Sequence, residues 1–109
     1  LAYWVRRRQA ISLEEGVRRL TSEPADLLGL DDRGRLAVGK SADLTVFDPD
    51  TVACAPARRV RDFPAGADRL VADAIGVHAV VVAGTVIRED GRDAVDAGGA
   101  PPGRVVRGA

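Results

Sequence analysis

The sequence of 109 residues holds one cysteine, one histidine, no methionine and no asparagine, and aromatic residues make up only 4% of it. Each scarcity closes off a chemistry. A lone cysteine cannot form an internal disulfide. One His and one Cys cannot supply a zinc site built from those residue types alone, which takes three or four ligands. Sixteen basic residues against sixteen acidic ones leave no net charge. No global field then draws nucleic acid or anionic lipid, and neither is expected as a partner. No run approaches the roughly 18 apolar residues of a membrane span. The chain starts at Leu1 rather than Met and shows no charged-then-apolar leader. It is therefore expected to be a piece of a longer protein, soluble and cytoplasmic.

What is present allows a small folded unit. Hydrophobic residues make up 46% of the chain, and a domain of this size buries roughly two thirds of its unfolded surface. Fifteen of the sixteen basic residues are Arg, Lys40 being the exception, a bias that reports on coding composition rather than chemistry.

The first thirty residues read as helical. Ser12-Leu13-Glu14-Glu15 has the S-x-x-E spacing of a capping box, so a helix is expected to begin at Ser12. Leu13, Val17 and Leu20 fall on one stripe, with Arg18 and Arg19 turned away from it. Thr21-Ser22-Glu23-Pro24 is a second start signal, and Gly29 is placed to cap the end after Leu27 and Leu28. Asp31-Asp32-Arg33-Gly34 then reads as a turn, and Asp43 to Asp48 as a strand stopped by Pro49, with Leu44 and Val46 on one face. Arg58 to Asp62 suggests another strand, broken by Phe63-Pro64-Ala65-Gly66, with an irregular segment to Asp73. The clearest β signal runs from Val77 to Ile87, where Ala83-Gly84 forms a two-residue hairpin turn. Asp96 to Gly103 reads as a loop, followed by the short run Arg104 to Arg107.

Candidate chemistry is sparse. Gly34-Arg35-Leu36-Ala37-Val38-Gly39-Lys40-Ser41 matches the phosphate-binding pattern G-x-x-x-x-G-K-[ST], which would make the chain a nucleotide binder. That loop needs a buried strand before it and a helix opening at Lys-Ser. Here an acidic turn precedes it and a strand follows. His78 is expected as an exposed or hydrogen-bonded strand residue without a local catalytic partner. Cys54 has no Lys, Arg or His within three residues and reads as a small buried or semi-exposed hydrophobe. No G-x-S-x-G elbow surrounds Ser12, Ser22 or Ser41. Arg6-Arg7-Arg8 reads as a solvated helix face. Asp31-Asp32 and Asp48-Asp50 read as turn acids.

Taken in order, these segments resemble the C-terminal end of a metal-dependent amidohydrolase, most closely the D-aminoacylase, or N-acyl-D-amino-acid deacylase, branch. The stretch from Leu13 to Ala25, then Leu28-Gly29-Leu30 and Asp32 to Leu36, carry part of the likeness. Gly39-Lys40-Ser41-Ala42-Asp43-Leu44-Thr45-Val46-Phe47-Asp48 is similar to the superfamily's G-x-x-A-D-L-x-V-F-D signature, which accounts for the phosphate-loop spelling. Arg59 to Gly66 with Arg69-Leu70, the hairpin, and Pro102 to Arg107 resemble the narrower branch. Ala83 departs from the Asn usual before the hairpin glycine.

The resemblance implies an α+β fragment: residues 1–30 as terminal helices of a (β/α)8 barrel, and residues 31–109 as the C-terminal strands of a small composite β-sandwich domain. A whole barrel needs about 250 residues, so none fits here. The family's metal ligands and catalytic aspartate would lie upstream of Leu1, leaving no catalytic, cofactor-binding or metal residue to assign in this chain. Zinc and a small-molecule substrate would belong to the parent enzyme, which would hydrolyse the amide of N-acyl-D-amino acids or a related C–N bond. A stand-alone interaction module is the alternative. Without upstream partners, the Leu13-Val17-Leu20 stripe and the strand edges around Val80 to Val82 are expected to drive self-association or leave the chain marginally stable.

Overall fold

The computed structural model of the chain describes residues 1–95 and 98–106. Its first element is a π-helical turn, Ala2–Arg7, in which Arg6 N–H bonds the Leu1 carbonyl and Arg8 N–H that of Tyr3. These five-residue steps make a wider turn than an α-helix. Helix α1, Leu13–Leu20, starts where the capping signal puts it, with the Ser12 hydroxyl accepting from Glu15 N–H at 3.2 Å. Glu15's own carboxylate grips Arg18 and Arg19 instead.

Helix α2, Ser22–Leu27, ends in a Schellman motif. Leu30 N–H bonds the Ala25 carbonyl and Gly29 N–H that of Asp26, with Gly29 at φ +65°. Left-handed backbone at that position is what lets both bonds close. The apolar stripe of α1 is only partly covered: Leu13 and Val17 are half-buried and Leu20 is exposed. The tight contact falls instead on Gly16, where a Cβ would lie 2.8 Å from Leu1 and 3.1 Å from Val5.

Among the described residues eight strands follow: β1 Leu44–Phe47, β2 Ala53–Cys54, β3 Arg58–Val60, β4 Arg69–Val71, β5 Ala74–Ile75, β6 Val77–Val82, β7 Thr85–Glu89 and β8 Arg92–Asp93. They make one four-stranded antiparallel sheet, β1-β6-β7-β8, and two ribbons, β2-β5 and β3-β4. The segment up to Asp73, expected to be irregular, instead carries β4, with β5 starting just beyond it. Neither strand has much alternation of its own; each is held by its partner across the ladder. Ion pairs Arg59–Asp68 and Arg69–Asp62 reinforce β3-β4. The expected strand from Arg58 stops at Val60, because Pro64–Gly66 forms a 3-10 turn with Ala65 at φ +61°. Residues 98–106 contain no strand; the remainder of the expected loop, 96–97, and Arg107 lie outside the described residues.

The β6-β7 hairpin forms as read, with Ala83 at φ +48° and Gly84 at φ +81°. Both central residues at positive φ is the type I′ requirement. Alanine in left-handed backbone costs about 1–2 kcal/mol. Ala83→Asn is therefore expected to raise stability by about 1 kcal/mol. The check is the thermal midpoint of the variant, and a midpoint that does not rise would mean the strain is relaxed elsewhere.

Burial is slight throughout. Ala25, 5% exposed, is the one apolar side chain among the described residues that is buried, while Leu27 and Leu36 are 85% and 90% exposed. The accessible area is 8475 Å², against about 5,800 Å² for a compact chain of this size. The radius of gyration is 16.1 Å, where about 13 Å is usual. Strands and helices form, but the chain does not close a core around them.

Candidate functional site

The densest polar cluster lies where the acidic turn meets the start of β1. Asp32 is its hub. Its carboxylate accepts from Arg33 Nε at 2.9 Å, Ser41 Oγ at 3.1 Å and Arg104 Nη2 at 2.5 Å. Arg33 also reaches Asp43 Oδ2 at 2.9 Å. The Arg33 guanidinium, followed by the Ser41 and Arg104 donors, holds the Asp32 carboxyl far below the usual carboxylate range. Asp43 Oδ1 accepts from Ala83 N–H at 2.8 Å, and Gly84 N–H donates to the Ala42 carbonyl at 3.0 Å. The Ala-Asp pair of the signature therefore grips the hairpin tip.

The final aspartate of the signature has a comparable task. Asp48 accepts from Asp50 N–H and the Thr51 hydroxyl, both at 2.8 Å, closing the turn after β1. The Asp50 amide and then the Thr51 hydroxyl lower its pKa. Of the expected turn acids, Asp48 caps its turn with its side chain, whereas the Asp32 carboxylate is spent on the side chains of Arg33, Ser41 and Arg104.

The phosphate-loop reading finds no support in this geometry. No helix opens at Lys40-Ser41, and the next element is β1. The Lys40 ammonium donates to the Asp31 carbonyl, and Ser41 is taken by Asp32. An anion approaching Ser41 would meet the Asp32 carboxylate.

His78 lies exposed on β6, as read from its alternation, but it does have an acidic neighbour. Its Nδ1 is 3.2 Å from Asp90 Oδ1. The antiparallel register places Asp90 beside it, 12 positions away, with Asp90 N–H bonding the His78 carbonyl. Spacing alone gives no such signal, whereas the hairpin turn, once located, does. Cys54 is exposed rather than buried or semi-exposed, since the two-residue β2 lies in a ribbon outside the main sheet. Arg6 departs from the solvated face expected of the Arg6-Arg7-Arg8 run. It donates to the Pro49 and Val52 carbonyls at 3.0 and 2.7 Å, while Arg7 and Arg8 sit over the Tyr3 ring.

An apolar hollow of about 420 Å³ opens beside α1, lined by Leu1, Trp4, Val5, Ile11 and Leu20, with Arg19 at its rim. Among the described residues no three His, Cys, Asp or Glu side chains converge as metal ligands would. Asp26, Asp32, Asp43, Asp62, Asp68, Asp73 and Asp93 are each engaged by an arginine. The described residues do not fit a metal centre. No described helix is long and apolar enough to cross a membrane.

The comparisons with known proteins agree with the signature rather than with the phosphate-loop spelling. Over 52 residues the chain is 52% identical to an N-acyl-D-glutamate deacylase of Alcaligenes xylosoxydans xylosoxydans, a match covering 48% of this chain and 11% of that protein. Over 45 residues it is 49% identical to a dihydroorotase of Methanopyrus kandleri, covering 41% of this chain and 11% of the relative. Each match thus spans about a tenth of the relative's length. No solved structure matches significantly. The model of the amidohydrolase family matches residues 2–88, most of the chain. The chain belongs to the amidohydrolase family.

Proposed function

We propose that this chain is the non-catalytic C-terminal portion of a zinc-dependent amidohydrolase that cleaves N-acyl-D-amino acids. Residues 1–30 supply terminal helices of the catalytic barrel, and residues 31–109 the C-terminal part of the composite β domain. The observation that carries this reading is the open surface: strands and helices are formed, yet Ala25 is the single buried apolar side chain among the described residues. An accessible area some thousands of Å² above that of a compact chain is what a stable, permanent interface removes. The cover is the upstream part of the same polypeptide, and the isolated chain hides the surface by self-association. The 52% identical deacylase supports the substrate class. Zinc would be held by residues upstream of Leu1, and the cytoplasm is the expected compartment.

The test is hydrolysis of a panel of N-acyl-D-amino acids by this 109-residue chain and by the product of the longest reading frame containing it, both with zinc. Activity is expected in the longer protein alone. Activity in neither would remove the deacylase assignment, and turnover by the short chain would refute the claim that catalysis lies upstream. Dihydroorotate belongs in the panel, because the second relative is 49% identical over nearly as long a stretch. Turnover of that substrate alone would move the assignment to a cyclic amide.

A further inference from the structure

We infer that Arg6 is a clasp across a hinge: it holds the helical segment, residues 1–28, against the strand region through the turn Asp48–Val52, and its release lets the two parts reorient about residues 29–43.

Three observations lead to it. The helices pack chiefly on each other and on the π-helical turn, and the strands pack on strands. Among the described residues, no helix packs extensively on a strand to fix the angle between the parts. Among the described residues, Arg6 makes the only hydrogen bonds from residues 1–28 to anything beyond residue 43.

The receptor is also preorganised. Thr51 and Val52 N–H both bond the Asp48 carbonyl, and the Asp48 side chain caps the same turn. Pro49 contributes no N–H, so its fixed backbone presents a carbonyl without offering a competing donor. One guanidinium nitrogen carries two N–H groups in a plane, and Arg6 Nη1 spends them on two carbonyls, Pro49 and Val52. A lysine ammonium has the charge but lacks the planar fork.

The loop that joins the parts is tied to both. Arg35 pairs with Asp26 of α2 through two bonds of 2.7 and 2.6 Å, while Asp32 accepts from Arg104 beyond the strands. The loop is thus an indirect tie between the parts, and Arg6 is the direct one. Arg6 and the Arg35–Asp26 pair act through charge-assisted hydrogen bonds, which break and re-form readily, while Gly34 keeps the first part of the loop packed against Ala25 of α2.

The sequence supplies its own reporters. Trp4, the sole tryptophan, sits two residues before Arg6, and Cys54, the sole cysteine, two residues after Val52. Cys54 is exposed and open to a thiol-reactive energy-transfer acceptor. Labelled chain is diluted into an excess of unlabelled Trp4→Phe chain, so that transfer between associated copies does not contribute. The wild-type chain is expected to show strong sensitised emission, and Arg6→Ala to lose most of it while keeping its far-UV circular dichroism. Arg6→Lys is expected to fall between them. Emission unchanged in a folded Arg6→Ala chain would overturn the clasp. Where Arg6→Ala loses its helical signal, Arg6→Gln decides in its place: glutamine favours helix and is too short to bridge. Loss of transfer supports the clasp and retained transfer overturns it.

Discussion

Gly34→Ala is expected to destabilise the fold by about 3–5 kcal/mol, the sum of left-handed backbone strain and forced overpacking. Gly34 sits at φ +82°, and a Cβ built there would lie 2.5 Å from the Ala25 Cβ and 2.9 Å from the Thr21 carbonyl oxygen. Neither neighbour is the free end of a flexible side chain. Ala25 is also the one buried apolar side chain among the described residues, so the methyl would push apart the best-packed point among them. Gly29 provides the control, since its φ of +65° is similar but no atom lies within 4 Å of the added Cβ. Gly29→Ala should therefore carry the backbone strain alone, about 1–2 kcal/mol. The pair is compared by urea midpoint, or in the longer reading-frame product if the short variant does not fold. Equal losses at the two positions would show that the close approach of the turn to α2 is not a packing constraint.

Gly76→Ala is expected to cost about 2–4 kcal/mol for the same two reasons, with a further consequence at a distance. Gly76 has φ +67°, and an added Cβ would stand 2.5 Å from Thr51 Oγ1 and 2.7 Å from Val52 N. The Thr51 hydroxyl is engaged by Asp48 and cannot simply swing aside without losing that bond. The Gly76 carbonyl meanwhile accepts from Asp48 N–H at 2.8 Å. The substitution therefore displaces the whole turn, including the Val52 carbonyl that receives Arg6. In a double-mutant cycle, Gly76→Ala and Arg6→Ala should be less than additive, because either change removes the same contact. Full additivity would mean that the turn moves without disturbing Arg6.

The local parts of this fold were legible in the sequence because each rests on residues a few positions apart. Ser12 and Glu15 mark the start of α1, and Leu28-Gly29-Leu30 marks the end of α2. Ala83-Gly84 between two valine-rich runs gives the hairpin. Strand pairs of low individual signal, β2-β5 and β3-β4, were not legible. Two or three residues such as Ala74-Ile75 carry no period, and only the partner strand makes them extended. The polar cluster was half visible: its acids read as turn residues, but Arg104 reaches Asp32 across 72 positions. No spacing rule covers that distance. The same holds for Arg6, whose place in a run of three arginines gives no hint that it alone finds backbone carbonyls.

By itself the sequence determined the family, through the Ala42-Asp43-Leu44 to Asp48 signature, together with the helix boundaries and the hairpin, all of which depend on short-range backbone geometry. It also determined that the phosphate-loop spelling lacks the flanking strand and helix such a loop needs. Only the tertiary structure decided what the signature acids do: Asp43 holds the hairpin tip and Arg33, and Asp48 caps a turn that carries Arg6. It alone decided, too, that so little of the chain is buried. Burial depends on whether apolar faces meet one another, and a pattern of apolar residues specifies a face without specifying what covers it.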